Sequence, residues 1–134
     1  MKKGIGAYEM ANKASTTGLS KHALTMKIYK EIVKQLELCE FLFKNRKLLE
    51  FNQFIDRKGT TLAKVQKYVM YLIETMNRQT DPEVCEVFDK MYYYILNNAQ
   101  LANKSMDVEA LQEALKMARE LVNIWDSIPE NERY

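Results

Sequence analysis

Hydrophobic positions recur along this chain at steps of three and four, in four separate runs. The first holds Leu24, Ile28, Ile32, Leu36, Cys39 and Phe43 on one face, the spacing of an amphipathic helix. Ser20 stands just ahead, where its hydroxyl can accept an orphan backbone N–H. A helix is therefore predicted over about 21–44, with Met26, Val33 and Phe41 away from its seam. Asn45-Arg46-Lys47 then weakens the pattern, and a short apolar piece, LLEFNQFI over 48–55, precedes Arg57-Lys58-Gly59. Three readings stay open for it: an extension of the first helix, the opening of the second, or a separate short helical segment. Thr60 or Thr61 is a candidate cap for the next run, with Leu62, Val65, Val69, Leu72 and Met76 on one face. Tyr71 lies roughly opposite that face and Met70 well to one side.

Asn77 to Thr80 reads as a turn, and Asp81-Pro82-Glu83 as a helix start: cap, first-turn proline and acid at the positive end of the dipole. Val84, Phe88, Met91, Ile95 and Ala102 then point inward, Cys85, Tyr92 and Leu96 form a flanking stripe, and Tyr93 points away. Asn103-Lys104-Ser105 is a tight polar turn, Asp107 caps a fourth helix running to about Ile128, and Pro129 ends it. Helices of about 20 residues are about 30 Å long, and short connections make neighbours antiparallel. The expected fold is all-α, an antiparallel up-and-down four-helix bundle over 19–129 with a short extra helical segment near 48–55. Residues 1–18, with two glycines and a Ser-Thr-Thr-Gly cluster, are expected to be a mobile N-terminal arm, and 130–134 a short polar tail. Within the arm, Ile5, Tyr8 and Met10 form a small apolar set, read either as part of a solvated tail or as a strip that docks reversibly on the body.

The hairpin from Met91 to Trp125 has more apolar reach than one core needs. Consecutive Tyr92, Tyr93 and Tyr94 spread over more than half the helix circumference at about 100° per residue, so at least one leaves the seam. On the fourth helix Leu111, Leu115, Ala118, Val122 and Trp125 form one stripe, and Ala110, Met117, Leu121, Ile124 and Ile128 another. Together they span about 200°, against the roughly 100° of an ordinary seat. Glu109, Gln112, Glu113, Lys116, Arg119, Glu120 and Asn123 fill the polar remainder. A patch of that width calls for a cover: a second subunit, the arm, the 48–55 segment, or a client helix laid in a groove between bundle helices.

Composition narrows the function classes. The 134 residues are 47% hydrophobic with only 4 Gly and 2 Pro, a helical composition, and the formal charge is +2. No basic stripe with interleaved aromatics stands out, so nucleic acid is not expected as a partner. Lys2 and Lys3 are followed by no apolar run, and no stretch approaches the roughly 20 apolar residues of a membrane span. No membrane insertion and a cytoplasmic address are expected. Cys39 and Cys85 read as buried free thiols. His22 is the only histidine and the four glycines form no phosphate loop, so neither metal nor cofactor is expected; His22 reads as a surface residue. Cys39 and His22 lie about 25 Å apart along one helix, too far to act together. The chain is not expected to be an enzyme. Methionines at 26, 70 and 117 fall off the seams, where flexible, polarisable side chains suit an adaptable surface. The candidate partner contacts are Ile5, Tyr8, Met10, Met70, Tyr71, Tyr92, Tyr93, Leu96, Met117 and Ile124.

Three stretches also resemble the flagellar secretion chaperone family, FliS. Ala7-Tyr8, Leu19-Ser20-Lys21-His22-Ala23-Leu24-Thr25 and Ile28-Tyr29 are similar to its N-terminal tyrosine and Ala-Ser-Pro-x-x-Leu-Thr…Leu-Tyr opening of helix one. Met91-Tyr92-Tyr93-Tyr94-Ile95-Leu96 resembles its Leu-Tyr-x-Tyr-Met-Leu run, and Ala102-Asn103-Lys104, Asp107-Val108 and the spacing to Trp125 its Ala-Asn…Asp turn and closing tryptophan. The chain departs from the pattern at Lys21, Lys27 and Glu31, and in a longer stretch between helices one and two. The chain is expected to be a monomer or a weak homodimer. The resemblance implies a cytosolic export chaperone for flagellar type III secretion. It implies grooves that take the disordered C-terminal segment of flagellin, which gains helix on binding, and an N-terminal strip that caps a groove and moves aside. Export-gate components stay open as further partners. The alternatives are a structural bundle that homodimerises through the same stripe and, more remotely, a small helical enzyme.

Overall fold

The computed structural model describes residues 20–129, and the arm with Ile5, Tyr8 and Met10, like the tail at 130–134, lies outside them. Among the described residues four long helices follow one another: α1 (Lys21–Lys44), α2 (Phe51–Thr75), α3 (Pro82–Ser105) and α4 (Val108–Asp126), with one 3-10 turn at Arg46–Leu48. Three start where their capping residues place them. Ser20 Oγ accepts the Ala23 amide at 3.1 Å, Asp81 the Val84 amide at 3.2 Å, and Asp107 the Ala110 amide at 3.0 Å.

The second helix starts earlier than its hydroxyls suggest. Residues 51–55 are its opening turn, entered from Glu50, and it runs unbroken through Arg57-Lys58-Gly59. Neither Thr60 nor Thr61 caps it. Thr61 Oγ1 instead donates back to the carbonyls of Arg57 and Lys58 at 3.1 and 2.9 Å, the mid-helix alternative open to a threonine. Lys58, which looks like loop punctuation, is buried, and its Nζ donates 2.7 Å to the Asn103 carbonyl at the end of α3. A cation there meets the negative end of the helix dipole and an orphan carbonyl together. Met106 beyond it takes the left-handed conformation (φ 54°) that ends the helix.

The helices close a ring: α1 packs on α2 and α4, and α3 on α2 and α4. Each therefore has two seams, which explains the 200° apolar width of α4. Both of its stripes are largely used, with Ala110, Leu111, Ala114, Leu115, Ala118 and Leu121 buried, while all seven residues of the polar remainder are exposed. Within the 48–55 segment Phe54 joins the common core, against Phe43, with Leu49 and Ile55 packed beside it. Leu48 is 83% and Phe51 72% exposed at the far end of α1.

At the other end an aromatic cluster ties α1, α3 and α4 together. Trp125 stacks on His22 at 5.1 Å and meets Tyr29 and Phe88 edge-on, and its Nε1 donates 3.0 Å to the His22 carbonyl. His22 is thus buried rather than on the surface. Its position in the first turn hid this, because the tryptophan that covers it lies 103 residues away. Cys39 and Cys85 are buried free thiols, and burial pushes the Cys39 thiol up to about 11. Among the described residues no group of His, Cys, Asp or Glu could hold a metal ion, and no helix is long and apolar enough to cross a membrane.

Candidate partner-binding groove

Between α2 and α3 the ring leaves a shallow groove of about 80 Å³. Gly59, Leu62, Ala63 and Gln66 line one wall, and Leu96, Ala99, Gln100 and Asn103 the other. Helical spacing makes these two rows on facing helices: 59, 62, 63 and 66 on α2, and 96, 99, 100 and 103 on α3. Small Gly59, Ala63 and Ala99 keep the seam low, so a chain laid there reaches the apolar floor. No charged side chain lines it, and the amides of Gln66, Gln100 and Asn103 can pair with the polar edge of a bound segment.

Both rows continue beyond the groove. Met70 follows Gln66 by one turn and Tyr93 precedes Leu96 by one turn; they are 37% and 48% exposed. The antiparallel register anchored by Lys58 on Asn103 sets Met70 level with residue 91, about 3 Å along the axis from Tyr93. Met70, Tyr93 and Leu96 are therefore the expected contacts that the fold gathers on one seam, with Leu96 as buried floor. Arg78 closes its end, donating to both oxygens of Asp89 and, at 3.0 Å, to the Ile73 carbonyl. The hydrogen bond to Asp89 holds the guanidinium pKa above its ordinary value.

The remaining expected contacts go elsewhere. Tyr92 is a core residue and no part of an exposed surplus: its hydroxyl and that of Tyr29 lie 2.6 Å apart in the interior. Burial, and for Tyr29 the neighbouring phenol as well, raises both pKa values, that of Tyr92 to about 12. Tyr71 is half-buried against the core on the flank of α2 away from the groove. Met117 and Ile124 are half-buried on α4. Tyr94, not expected as a contact, donates 2.6 Å to Glu113 across α3 and α4. That hydrogen bond raises its phenol pKa.

The exposed apolar residues that sequence reading missed are Leu38, Leu48, Phe51, Val84, Val87, Leu101 and Val108. Val84, expected inward, and Val108 stand at helix starts where no neighbouring helix covers them, while Leu38, Val87 and Leu101 lie on outward faces. A larger cleft of about 380 Å³ on the α1–α4 side is lined by Glu40, Gln112, Lys116, Arg119, Glu120 and Asn123 around Leu115. Its charges are mixed and solvated, so it offers less to an apolar helix than the α2–α3 seam.

The flagellar secretion chaperone FliS of Vibrio cholerae serotype O1 is 25% identical over 75 residues, which is 56% of this chain and 55% of that protein. The chain thus matches only about half the length of that curated relative. No solved structure matches. The profile described as flagellar protein FliS matches residues 4–132, and the chain belongs to the FliS family of flagellar proteins.

Proposed function

We propose that this protein is a cytoplasmic export chaperone that binds flagellin, sequesters its C-terminal helical segment and keeps it unpolymerised for flagellar type III secretion. The observation that carries the reading is the family match over 4–132. The uncharged α2–α3 groove, flanked by Met70 and Tyr93, supplies a seat that suits it. Binding there is helix-in-groove recognition. The client buries its own apolar face and can no longer pair with another copy, and no bond is made or broken. Ordering a disordered client costs several kcal/mol, so the client uses more than the 80 Å³ groove, and the exposed Met70 and Tyr93, one helical turn beyond its two rows, are the surface it reaches next.

In the same reading, residues 1–18 form an arm whose Ile5, Tyr8 and Met10 occupy a groove in the free protein and give way to the client. Titration with the cognate flagellin C-terminal peptide tests the proposal. Binding in the low micromolar range is expected, weakened tenfold or more, at least about 1.4 kcal/mol, by Met70→Lys with Tyr93→Asp. No binding at tens of micromolar would overturn it. Deleting residues 1–18 is expected to raise the affinity, and unchanged affinity would reduce the arm to a tail.

A further inference from the structure

Lys58 is buried, 4% exposed, and among the described residues no carboxylate lies within ion-pair distance of it. Its ammonium meets neutral groups instead: the Asn103 carbonyl at 2.7 Å, the Met106 Sδ at 3.6 Å and the face of Phe54, 6.0 Å from the ring centroid. Taking an ammonium out of water without a counter-ion is costly, and a methionine of similar volume would fill the space without that cost. What the lysine adds is direction, since its N–H groups fix where the end of α3 stands against α2.

The contact closes one end of the α2–α3 groove. Gly59 follows Lys58 in the chain and Asn103 stands in the opposite wall, so these two form the last rung of the groove's rows. At the far end of the seam the chain itself joins α2 to α3, and Arg78 bridges the Ile73 carbonyl to Asp89. The Lys58 end has no such link, because α3 passes there into the turn to α4. The last carbonyls of α3 have no partner within the helix, and Met106 beyond them takes φ 54°. Without the ammonium this end of the wall is free to fray.

We infer that Lys58 is a positioning residue for client binding: it holds the open end of the α2–α3 seam at one width and register, so that a bound segment meets both rows at once. The inference rests on the reading of that groove as the client's seat. Lys58 does not line the groove itself; it acts through Gly59 and Asn103. A groove held ready spares the client the cost of ordering its walls, and the gain appears mainly as slower dissociation. The tie joins a buried cation to neutral acceptors, so salt that screens exposed charges leaves it intact.

The test compares Lys58→Met with Tyr29→Phe, a core substitution on α1 that also lowers the thermal midpoint but lies away from the groove. Hydrogen exchange is read on the free full chain. Both variants are expected to speed the slowest core amides, and Lys58→Met alone to speed those of residues 101–105, by about tenfold. Titration with the cognate flagellin C-terminal peptide follows. Binding about tenfold weaker, mostly through faster dissociation, is expected for Lys58→Met, and a loss of less than about twofold for Tyr29→Phe. Lys58→Arg, which keeps a donor, is expected to lie between the unsubstituted chain and Lys58→Met in both readings, and it serves if circular dichroism shows that Lys58→Met does not fold. Three outcomes would overturn the inference: unchanged binding by Lys58→Met, equal losses in Lys58→Met and Tyr29→Phe, or exchange at 101–105 no faster in the first than in the second. Absence of binding by the unsubstituted chain overturns the proposed function, and the role of Lys58 with it; binding by the unsubstituted chain with no effect of Lys58→Met overturns that role alone.

Discussion

The hydroxyl pair of Tyr29 and Tyr92 shows how one interior contact decides a residue's role. Two phenols 2.6 Å apart, each about 4% exposed or less, satisfy each other where water cannot. Replacing either by phenylalanine leaves the other unpaired, an expected loss of about 1–2 kcal/mol in urea denaturation. The double Phe variant is expected to lose less than the sum, because no lone hydroxyl remains. The pair also carries a pH dependence. Both folded pKa values lie above the ordinary value of about 10, that of Tyr92 at about 12. The unfolded chain therefore ionises first. The stabilisation is fully present below about pH 10 and is lost as pH rises toward 12. The urea midpoint is expected to fall between about pH 10 and 12, and to fall less steeply in the double Phe variant.

At the scale of elements, the cross-helix caps hold the ring in register. Lys58 anchors α2 to the end of α3 through the Asn103 carbonyl. Lys58→Met keeps the volume but orphans that carbonyl, at an expected cost of about 1–3 kcal/mol, measurable as a lower thermal midpoint. Asp107→Ala removes the cap that starts α4 and is expected to cost about 1 kcal/mol. Gly59 behaves in the opposite sense. It sits inside α2, and an added Cβ meets nothing within 4 Å, so Gly59→Ala is expected to stabilise the fold by about 0.5–1 kcal/mol.

For the whole molecule, Gly59 links stability to the proposed activity because it also lines the α2–α3 groove. Gly59→Leu is expected to leave the bundle folded, by circular dichroism, while reducing peptide binding in titration. Retained binding would move the client to another seam. Stability and groove depth thus pull against each other at one residue, a trade-off familiar from binding sites.

Much of the fold was legible along the chain. Periodicity of three and four, the Ser20, Asp81 and Asp107 caps and the short connections determine four antiparallel helices, because these are local effects within one or two turns. So is the polar strip of α4, which needs only the helix's own geometry. What tertiary structure alone decided depends on where a second helix lies. It turned Thr61 from a cap into a back-bonded helix residue, put His22 under Trp125, and sent Tyr92 to the core while leaving Tyr93 on the rim of a groove. The apolar width of α4 was visible in the sequence; only the closed ring, with two neighbours for each helix, showed that width to be packing rather than a vacant face.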